Sequence, residues 1–174
     1  MHEQALTSRT DYEDLSDFCL SHTELAGLVG TSGECVFNWT TASGYPMGVV
    51  VRYLHRDGKF FTTSVARRAR IRALRSRPQT AIVLNHGGRS ATFKGVSVLY
   101  RPGEPGWEAI KSWFFPALAG TDEHPDDPAA RRIERYLDNP NQVIVETTAD
   151  LVLSFDFTRF SQAQLAPLVT EAAE

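Results

Sequence analysis

The sequence has few cysteines and no long apolar run, and each shortage excludes a class of protein. Cys19 and Cys35 are the only cysteines in 174 residues, too few for a disulfide framework, so both are expected to be reduced thiols. No run of about 18 apolar residues occurs, which argues against a membrane-spanning helix. The N-terminal residues lack a basic segment followed by an apolar one, so no secretory signal is expected and the predicted location is the cytoplasm.

Catalytic and metal-binding motifs are also missing. Neither a G-x-S-x-G nucleophile elbow nor a G-x-x-x-x-G-K-S/T phosphate loop occurs. No metal site is expected, because four scattered histidines show no ligand spacing: His22, His55, His86 and His124. Asp126, Asp127 and Glu146 do not form a recognisable acid–base pair. No catalytic residue is therefore identified, which suits a protein whose bound cofactor carries the chemistry.

The charge of the chain is nearly balanced overall but concentrated locally. The formal net charge is −3, which counts against a surface built to coat nucleic acid. Six of the fifteen arginines nevertheless fall between Arg67 and Arg77. A nucleic-acid-binding module on that segment is an alternative, but no aromatic residues are interleaved there for base stacking. Neither a nucleic-acid partner nor a membrane partner is therefore expected.

Alternating polar and apolar residues predict a chain dominated by strands. Strands are expected over residues 35–42, 47–55, 59–63, 80–85, 90–100, 143–148 and 151–157. Asp57-Gly58 is a strong signal for a tight hairpin between the second and third of these. Strands joined by hairpins favour an antiparallel barrel with helical insertions over an alternating parallel sheet.

Four helical segments are expected around these strands. Thr10 and Glu13 have capping-box spacing in the N-terminal segment, and Gly27, Gly30 and Gly33 indicate looser chain after that first helix. Ser64 is predicted to cap a basic helix that Pro78 closes, and two further helices are expected over residues 107–118 and 128–137. The predicted organisation is one domain over residues 1–174, divided into a helical segment (1–33), core strands with the basic helix (34–100), a helical insertion (107–137) and closing strands (143–157).

The start of the basic helix is the best candidate for a phosphate site. The first N–H groups of a helix are unpaired donors at the positive end of its dipole. Arg67 and Arg68 are placed in the first turn, where guanidinium groups can make charge-assisted contacts. Hydroxyl donors precede them at Thr62, Thr63 and Ser64, and Arg52 lies on a strand predicted to pair with residues 59–63. The alternative is a solvated surface, an interpretation kept here for Arg72, Arg75 and Arg77.

The segment Gly44 to Asn85 resembles the core of the pyridoxamine 5′-phosphate oxidase-like, flavin-binding split-barrel family. It reads GYPMGVVVRYLHRDGKFFTTSVARRARIRALRSRPQTAIVLN. The shared succession is a turn with proline, a strand, an Asp-Gly hairpin, an aromatic-aromatic-Thr strand, and a basic helix start. This resemblance implies a mainly β (α+β) fold, an antiparallel six- or seven-stranded split β-barrel with peripheral helices. It also implies a homodimer with the cofactor at the subunit interface.

The resemblance further implies an FMN-binding oxidoreductase that acts on a small organic substrate. The cofactor phosphate would be held by Arg52, Thr62, Arg67 and Arg68, with Thr63 and Ser64 beside them. The flavin ring would lie along the backbone of Val49, Val50 and Val51. A deazaflavin (coenzyme F-four-twenty)-dependent reductase and a non-catalytic flavin- or haem-binding protein are the alternatives, because each would use a similar groove.

Two departures from the family pattern bear on the substrate. Met47 stands where the true oxidases open the strand with an arginine, and the Trp- and Arg-rich C-terminal signature is missing, leaving only Arg159. Pyridoxamine phosphate is therefore not the expected substrate. The aromatic residues of the helical insertion would either cover a substrate cavity or form ordinary core or dimer packing: Trp107, Trp113, Phe114 and Phe115.

Overall fold

The structure is a computed structural model that describes residues 15–171, with side chains described to residue 164. Its strands are β1 (Glu34–Thr40), β2 (Pro46–Arg52), β3 (Leu54–Arg56), β4 (Lys59–Val65), β5 (Gln79–His86), β6 (Arg89–Tyr100) and β7 (Gln142–Asp156). Its α-helices are α1 (His22–Ser32), α2 (Ala69–Leu74), α3 (Trp107–Ala119), α4 (Pro128–Leu137) and α5 (Phe157–Glu171). Within this part of the chain, no helix is both long and apolar enough to span a membrane.

The described strands form one antiparallel sheet whose two edges meet. Its order is β2-β1-β5-β6-β7-β4-β3, so β2 and β3 lie at opposite edges. Only Tyr53 separates β2 from β3 along the chain, and its ring is buried in the core. The sheet must therefore curl until its edges adjoin, which makes it a split barrel. The predicted mainly β, antiparallel fold with peripheral helices is confirmed, and the single strand predicted over residues 47–55 is corrected to two strands that bend at Tyr53.

A bulge joins the two strands predicted near the C-terminus into the single strand β7. Gly95 of β6 pairs with Ala149 while Lys94 pairs with Leu151, so Asp150 is the extra residue. The alternation of side chains changes phase there, which is why the sequence suggested a break between two strands. A Cβ at Gly95 would collide with the backbone carbonyl of Thr148, so only glycine fits opposite the bulge.

In the described part of the chain, the core forms two clusters on opposite faces of the sheet. The inner cluster fills the barrel and includes Phe37, Phe60 and Ile82, each about 1% exposed or less. The outer cluster lies under α3 and α4, where Phe114 packs against Phe61 and Trp107 packs against Phe115. Helices α3 and α4 therefore cover only one end of the outer sheet face.

Helix α1 corrects the expectation of a loose chain after the first predicted helix. Ser21 and Glu24 form a capping box, in which Ser21 Oγ accepts a hydrogen bond from the Glu24 amide (3.3 Å) and Glu24 Oε2 accepts one from the Ser21 amide (2.8 Å). Gly27 and Gly30 lie inside the helix, and Gly33 ends it in a left-handed conformation (φ 64°). The predicted capping box at Thr10 and Glu13 lies outside the described residues.

Four charged side chains attach α1 and α5 to the end of the barrel. Arg89 Nε donates to Asp156 Oδ2 (3.1 Å), and Arg159 pairs with Glu24 Oε1 (2.7 Å). The Asp156 side chain is nearly buried and also accepts a hydrogen bond from the Arg159 amide (2.9 Å). We call Arg89 and Arg159 the paired arginines, because each contacts both carboxylates of this cluster.

Candidate functional site

Strand β4 places the three predicted hydroxyl groups on different faces of the sheet. Thr62 and Ser64 share the inner face with Phe60, whereas Thr63 faces outward. The Thr63 hydroxyl donates to the Val143 carbonyl (2.9 Å) and accepts a hydrogen bond from Gln142 Nε2 (2.9 Å). The buried Ser64 Oγ, by contrast, has no hydrogen-bond partner among the described residues. These three residues therefore do not converge, and the hydroxyl of Thr63 is engaged by β7.

The basic residues begin in a tight turn, which corrects the predicted helix start. Val65 to Arg68 form the turn, closed by a hydrogen bond from the Arg68 amide to the Val65 carbonyl (3.0 Å). Ser64 is part of β4 and is not the N-cap; Arg68 takes that position, and its side chain makes no capping hydrogen bond. Because α2 has only six residues, the predicted contribution of a helix dipole to phosphate binding is withdrawn. Arg67 and Arg68 remain as exposed side chains of the turn.

Arg70 is a basic residue of this region that the sequence interpretation did not single out. Its Nη2 donates to the Thr63 carbonyl (3.2 Å), which ties the first turn of α2 to β4. Burial lowers the pKa of the Arg70 guanidinium, and the neighbouring positive charge of Arg68 lowers it further. Ile71 and Leu74 are buried and lie three residues apart, as on one face of a helix. This apolar spacing was the sequence signal that could have placed the neighbouring Arg70 beside the core. Three guanidinium groups thus lie close together on one short segment.

These guanidinium groups have no carboxylate partner in the described part of the chain. The ion pairs of residues 15–164 include neither Arg67, Arg68 nor Arg70, which we call the unpaired arginines. Arg77 donates to the Thr40 carbonyl (3.1 Å), a structural contact consistent with leaving it out of the site. An uncompensated cluster of this kind favours an anionic ligand.

Strand β2 presents the predicted ring-binding residues on a sheet edge. It pairs with β1 on one side only, so its other side has no strand partner among the described residues. Val49 and Val51 pack against the inner core, and Val50 faces outward with 61% of its surface exposed. A flat ring could therefore lie against unpaired backbone groups of this edge.

The position of Arg52 differs from the prediction. Arg52 was expected on a strand paired with residues 59–63, but β3 occupies that place and Arg52 lies opposite Glu34 of β1. The bend at Tyr53 is the cause, since it moves the chain from one sheet edge to the other. The structure thus brings Thr62, Ser64, Arg67 and Arg68 onto one strand and turn, while Arg52 lies on the edge strand β2.

The aromatic residues of the insertion are mainly core. Trp107, Phe114 and Phe115 are each 2% exposed or less, which favours the packing interpretation over a cover for a substrate cavity. Trp113 is half-buried, and the Arg56 guanidinium lies 4.7 Å from the centre of its ring.

A polar cluster beside these aromatics was also missed from the sequence. Lys59 Nζ pairs with Glu146 Oε1 (2.7 Å), and the Tyr100 hydroxyl donates to Glu146 Oε2 (3.3 Å). The hydrogen bond to Glu146 raises the pKa of Lys59, and burial followed by the charge of Glu146 raises that of Tyr100. The partners come from three strands that are far apart in sequence, so no local pattern could reveal them.

Solved structures with this fold include flavin-type proteins. A conserved hypothetical protein from Mycobacterium tuberculosis superimposes with a TM-score of 0.69 at 21% identity, covering 84% of this chain and 91% of that chain. A FAD-binding protein from Mesorhizobium loti gives 0.59 at 16% identity, covering 78% and 94%. A Clostridium acetobutylicum protein of the pyridoxine phosphate oxidase family gives 0.55 at 15% identity, covering 79% and 94%.

The same fold also serves a different ligand. HutZ, the haem storage protein from Vibrio cholerae, superimposes with a TM-score of 0.58 at 10% identity, covering 78% of this chain and 95% of that chain. No protein-family model and no curated protein sequence matches this chain. At these identities the likeness is one of fold, and it confirms the split barrel that the sequence resemblance implied. The ligand has to be argued from the residues of this chain.

Proposed function

We propose that the chain binds FMN and acts as an oxidoreductase on a small organic substrate. The observation that carries this proposal is the set of unpaired arginines directly after β4, on a fold shared with FAD-binding and pyridoxine phosphate oxidase-family proteins. Arg67 and Arg68 would hold the phosphate, with Arg70 adding positive potential behind them. The predicted cytoplasmic location and the organisation as one domain over residues 1–174 stay predictions.

The surrounding residues fit a phosphorylated ligand in two further respects. Ser64 Oγ is buried without a partner on the strand that leads into the turn, and such a group gains from a ligand or water that hydrogen-bonds to it. Thr62 lies on the same face of β4. Arg52 would approach the ligand from the β2 edge, and Val49 to Val51 would contact the ring. A bound flavin would supply the redox chemistry, while the protein positions and shields it.

We also propose that a second copy of the chain covers the outer sheet face that α3 and α4 leave open. Apolar side chains on this face are 45–61% exposed: Val50, Val96, Val98, Leu151 and Leu153. The bulge at Asp150 places the two leucines on the same face as the two β6 valines. Exposed apolar side chains gathered on one face, here with Lys94 among them, are typical of a protein–protein interface. The dimer would put the β2 edge of one subunit beside its partner.

The flavin site is tested with a double variant and two ligands. FMN and riboflavin binding are measured by titration with the wild type and with Arg67→Ala/Arg68→Ala. Riboflavin lacks the phosphate, so the wild type should prefer FMN, and the double variant should lose that preference. We expect FMN affinity to fall roughly 10- to 100-fold, since two exposed charge-assisted contacts are removed.

The matched control removes two other arginines of the same basic segment, Arg72→Ala/Arg75→Ala. It lowers the net charge equally and should bind FMN nearly as the wild type does. Equal loss in both double variants would show a general charge effect and reject the site. The absorbance spectrum of the purified protein separates the cofactors: two flavin bands support the proposal, whereas a deazaflavin or haem spectrum would replace FMN by that ligand.

The dimer is tested by measuring the mass in solution by light scattering. Val98→Lys places a charge on the open outer face and should convert the dimer to a monomer. Ile133→Lys is the matched control, because Ile133 is equally exposed (45%) but lies on α4. A wild type that is monomeric at all concentrations would reject the interface.

A further inference from the structure

A second candidate site is a cavity between α1 and the open side of the barrel. Its volume is about 710 Å³, and its walls include Leu25 and Val29 of α1 and Phe93 of β6. The unpaired arginines are not among the residues that line it. The cavity is therefore separate from the proposed phosphate site, and an argument about it does not depend on the flavin.

The walls of this cavity are apolar on the side of the sheet. Val152 of β7 pairs with Phe93 and faces inward with it, yet 40% of the Val152 surface is exposed. The cavity is the reason, because it lies between this inner sheet face and α1. Apolar and aromatic walls around a space of several hundred Å³ are the usual features of a small-molecule site.

The polar groups in the lining are few and lack a permanent charge. Two histidines, His22 and His55, contribute imidazoles, whereas the Tyr53 hydroxyl is used internally to donate to the Val29 carbonyl. The His55 imidazole packs against Phe60 with ring centres 4.8 Å apart and ring planes tilted by 59°. Partial desolvation lowers the pKa of His55, which favours the neutral imidazole with one donor and one acceptor. Among the described residues, no lysine, arginine or carboxylate lines the cavity.

We propose that this cavity binds an uncharged, largely apolar molecule containing a ring, with a hydroxyl or carbonyl group that hydrogen-bonds to His55. The apolar walls would take the body of the ligand. The absence of ionised side chains in the lining disfavours charged ligands, since an unpaired charge would be desolvated there. The site gives the protein a binding activity that is independent of the phosphate-bearing cofactor.

Two glycines of α1 provide a variant and its matched control. Gly30 lines this cavity, and Gly27 lines a different one between α1 and the paired arginines. A Cβ at either position meets no atom within 4 Å, so a larger side chain enters open space. Both lie inside a helix, where replacing glycine does not reduce helix propensity. Gly30→Phe therefore fills the cavity while Gly27→Phe does not, and both variants are expected to fold.

The experiment uses N-phenyl-1-naphthylamine, an uncharged aromatic probe whose fluorescence rises in apolar surroundings, with the full-length protein. The wild type should bind it saturably at one site per chain. Gly30→Phe should weaken binding about tenfold or more, corresponding to about 1.4 kcal/mol, and Gly27→Phe should bind within about twofold of the wild type. Thermal melting confirms that both variants are folded. Unchanged binding in Gly30→Phe, equal loss in both variants, or no saturable binding would overturn the proposal.

The hydrogen bond to His55 is tested with a pair of ligands that differ by one hydroxyl. 1-Naphthol should bind the wild type about fivefold more tightly than naphthalene, as expected for one net hydrogen bond. His55→Phe keeps the aromatic contact with Phe60 but removes the imidazole. That variant should bind the two ligands equally, and a hydroxyl preference that survives in it would remove His55 from the site.

Discussion

The paired and the unpaired arginines use the same side chain in two different ways. Arg89 and Arg159 lie 2.7–3.7 Å from carboxylates of Glu24 and Asp156, so their charge is compensated within the fold. Arg67 and Arg68 have no such partner among the described residues, and Arg70 donates only to a backbone carbonyl. The neighbours supplied by the fold, not the residue type, decide whether a guanidinium attaches two elements or attracts an anion.

The difference between the two groups reflects where their partners lie in the sequence. Glu24 is 135 residues from Arg159, and Asp156 is 67 residues from Arg89, so the shorter ion pair of each paired arginine forms only in the folded chain, while Asp156 is also a local partner of Arg159. The unpaired arginines share one short segment of chain, from the turn into α2, and the charge of Arg68 lowers the pKa of Arg70, so they stay mutually repulsive. The paired arginines should therefore contribute to the stability of the fold. The unpaired arginines should contribute to ligand affinity and change the stability little.

The largest expected effect is the loss of stability caused by Asp156→Ala, which removes a partner of the paired arginines. This substitution removes the acceptor for Arg89 Nε and for the Arg159 amide, and leaves both guanidinium groups with one carboxylate fewer. We expect the free energy of unfolding to fall by about 2–4 kcal/mol, since a nearly buried charge partner and a helix cap are lost together. Chemical denaturation measures the loss.

Two controls make the comparison sharper. Asp122→Ala removes an exposed carboxylate of a loop and should leave the free energy of unfolding within about 0.5 kcal/mol of the wild type. Arg67→Ala/Arg68→Ala should also unfold like the wild type, although it loses the preference for FMN. If this double variant were destabilised as much as Asp156→Ala, the distinction between the two groups would be wrong.

A second prediction concerns the stability of the fold at acidic pH. Hydrogen bonds from the Ser21 amide and hydroxyl, together with Arg159, lower the pKa of Glu24 to about 2, and the Arg159 amide and Arg89 lower that of Asp156. A carboxylate whose pKa is lower in the folded state stabilises the fold above its ordinary pKa. That contribution is lost as the pH falls from about 4.5 through about 2.

The measurement compares melting temperatures of the wild type and Glu24→Gln between pH 6 and pH 2.5. The isosteric amide keeps an oxygen acceptor but removes the charge, so the variant should be less stable at pH 6. Its deficit should shrink as the pH falls, because the wild type then loses the same charge. Glu123→Gln, in an exposed turn, serves as the control with no such dependence. A deficit that stays constant down to pH 2.5 would exclude Glu24 as the acid-sensitive group.

Much of the fold was predictable because its signals are local. The Asp57-Gly58 hairpin and helix Pro128–Leu137 have the predicted positions, since turn conformation and a proline at the helix start act within a few residues. The bend at Tyr53 was not predictable, because it depends on the sheet closing on itself. Ser64 has the sequence of an N-cap, but pairing of Val65 with Gln142 extends β4 past it. Long-range pairing thus replaced a local preference.

The candidate site was predictable to a smaller extent. The sequence resemblance identified Arg67 and Arg68, and their lack of carboxylate partners supports the proposal built on them. The engagement of Thr63 by β7 and the placement of Arg70 beside Thr63 depend on contacts across the sheet. The cavity beside α1 could not be predicted from the sequence. Its walls come from α1, which the sequence analysis predicted to be loose chain, and from strands that are far apart in the sequence.

The smallest expected effect comes from giving the unpaired arginines a carboxylate partner like those of the paired arginines. Ala69 is exposed at the first position of α2, directly after Arg68. Ala69→Glu adds a carboxylate beside the unpaired arginines, whose positive charge favours it, so stability should rise by about 0.2–1 kcal/mol. The same carboxylate competes with phosphate for the guanidinium groups, so FMN affinity should fall several-fold. Ala69→Gln has nearly the same shape without the charge and should change neither quantity. Higher stability with unchanged FMN affinity would mean that the unpaired arginines lie outside the phosphate site, because a compensated arginine cannot hold an anion as well as an uncompensated one.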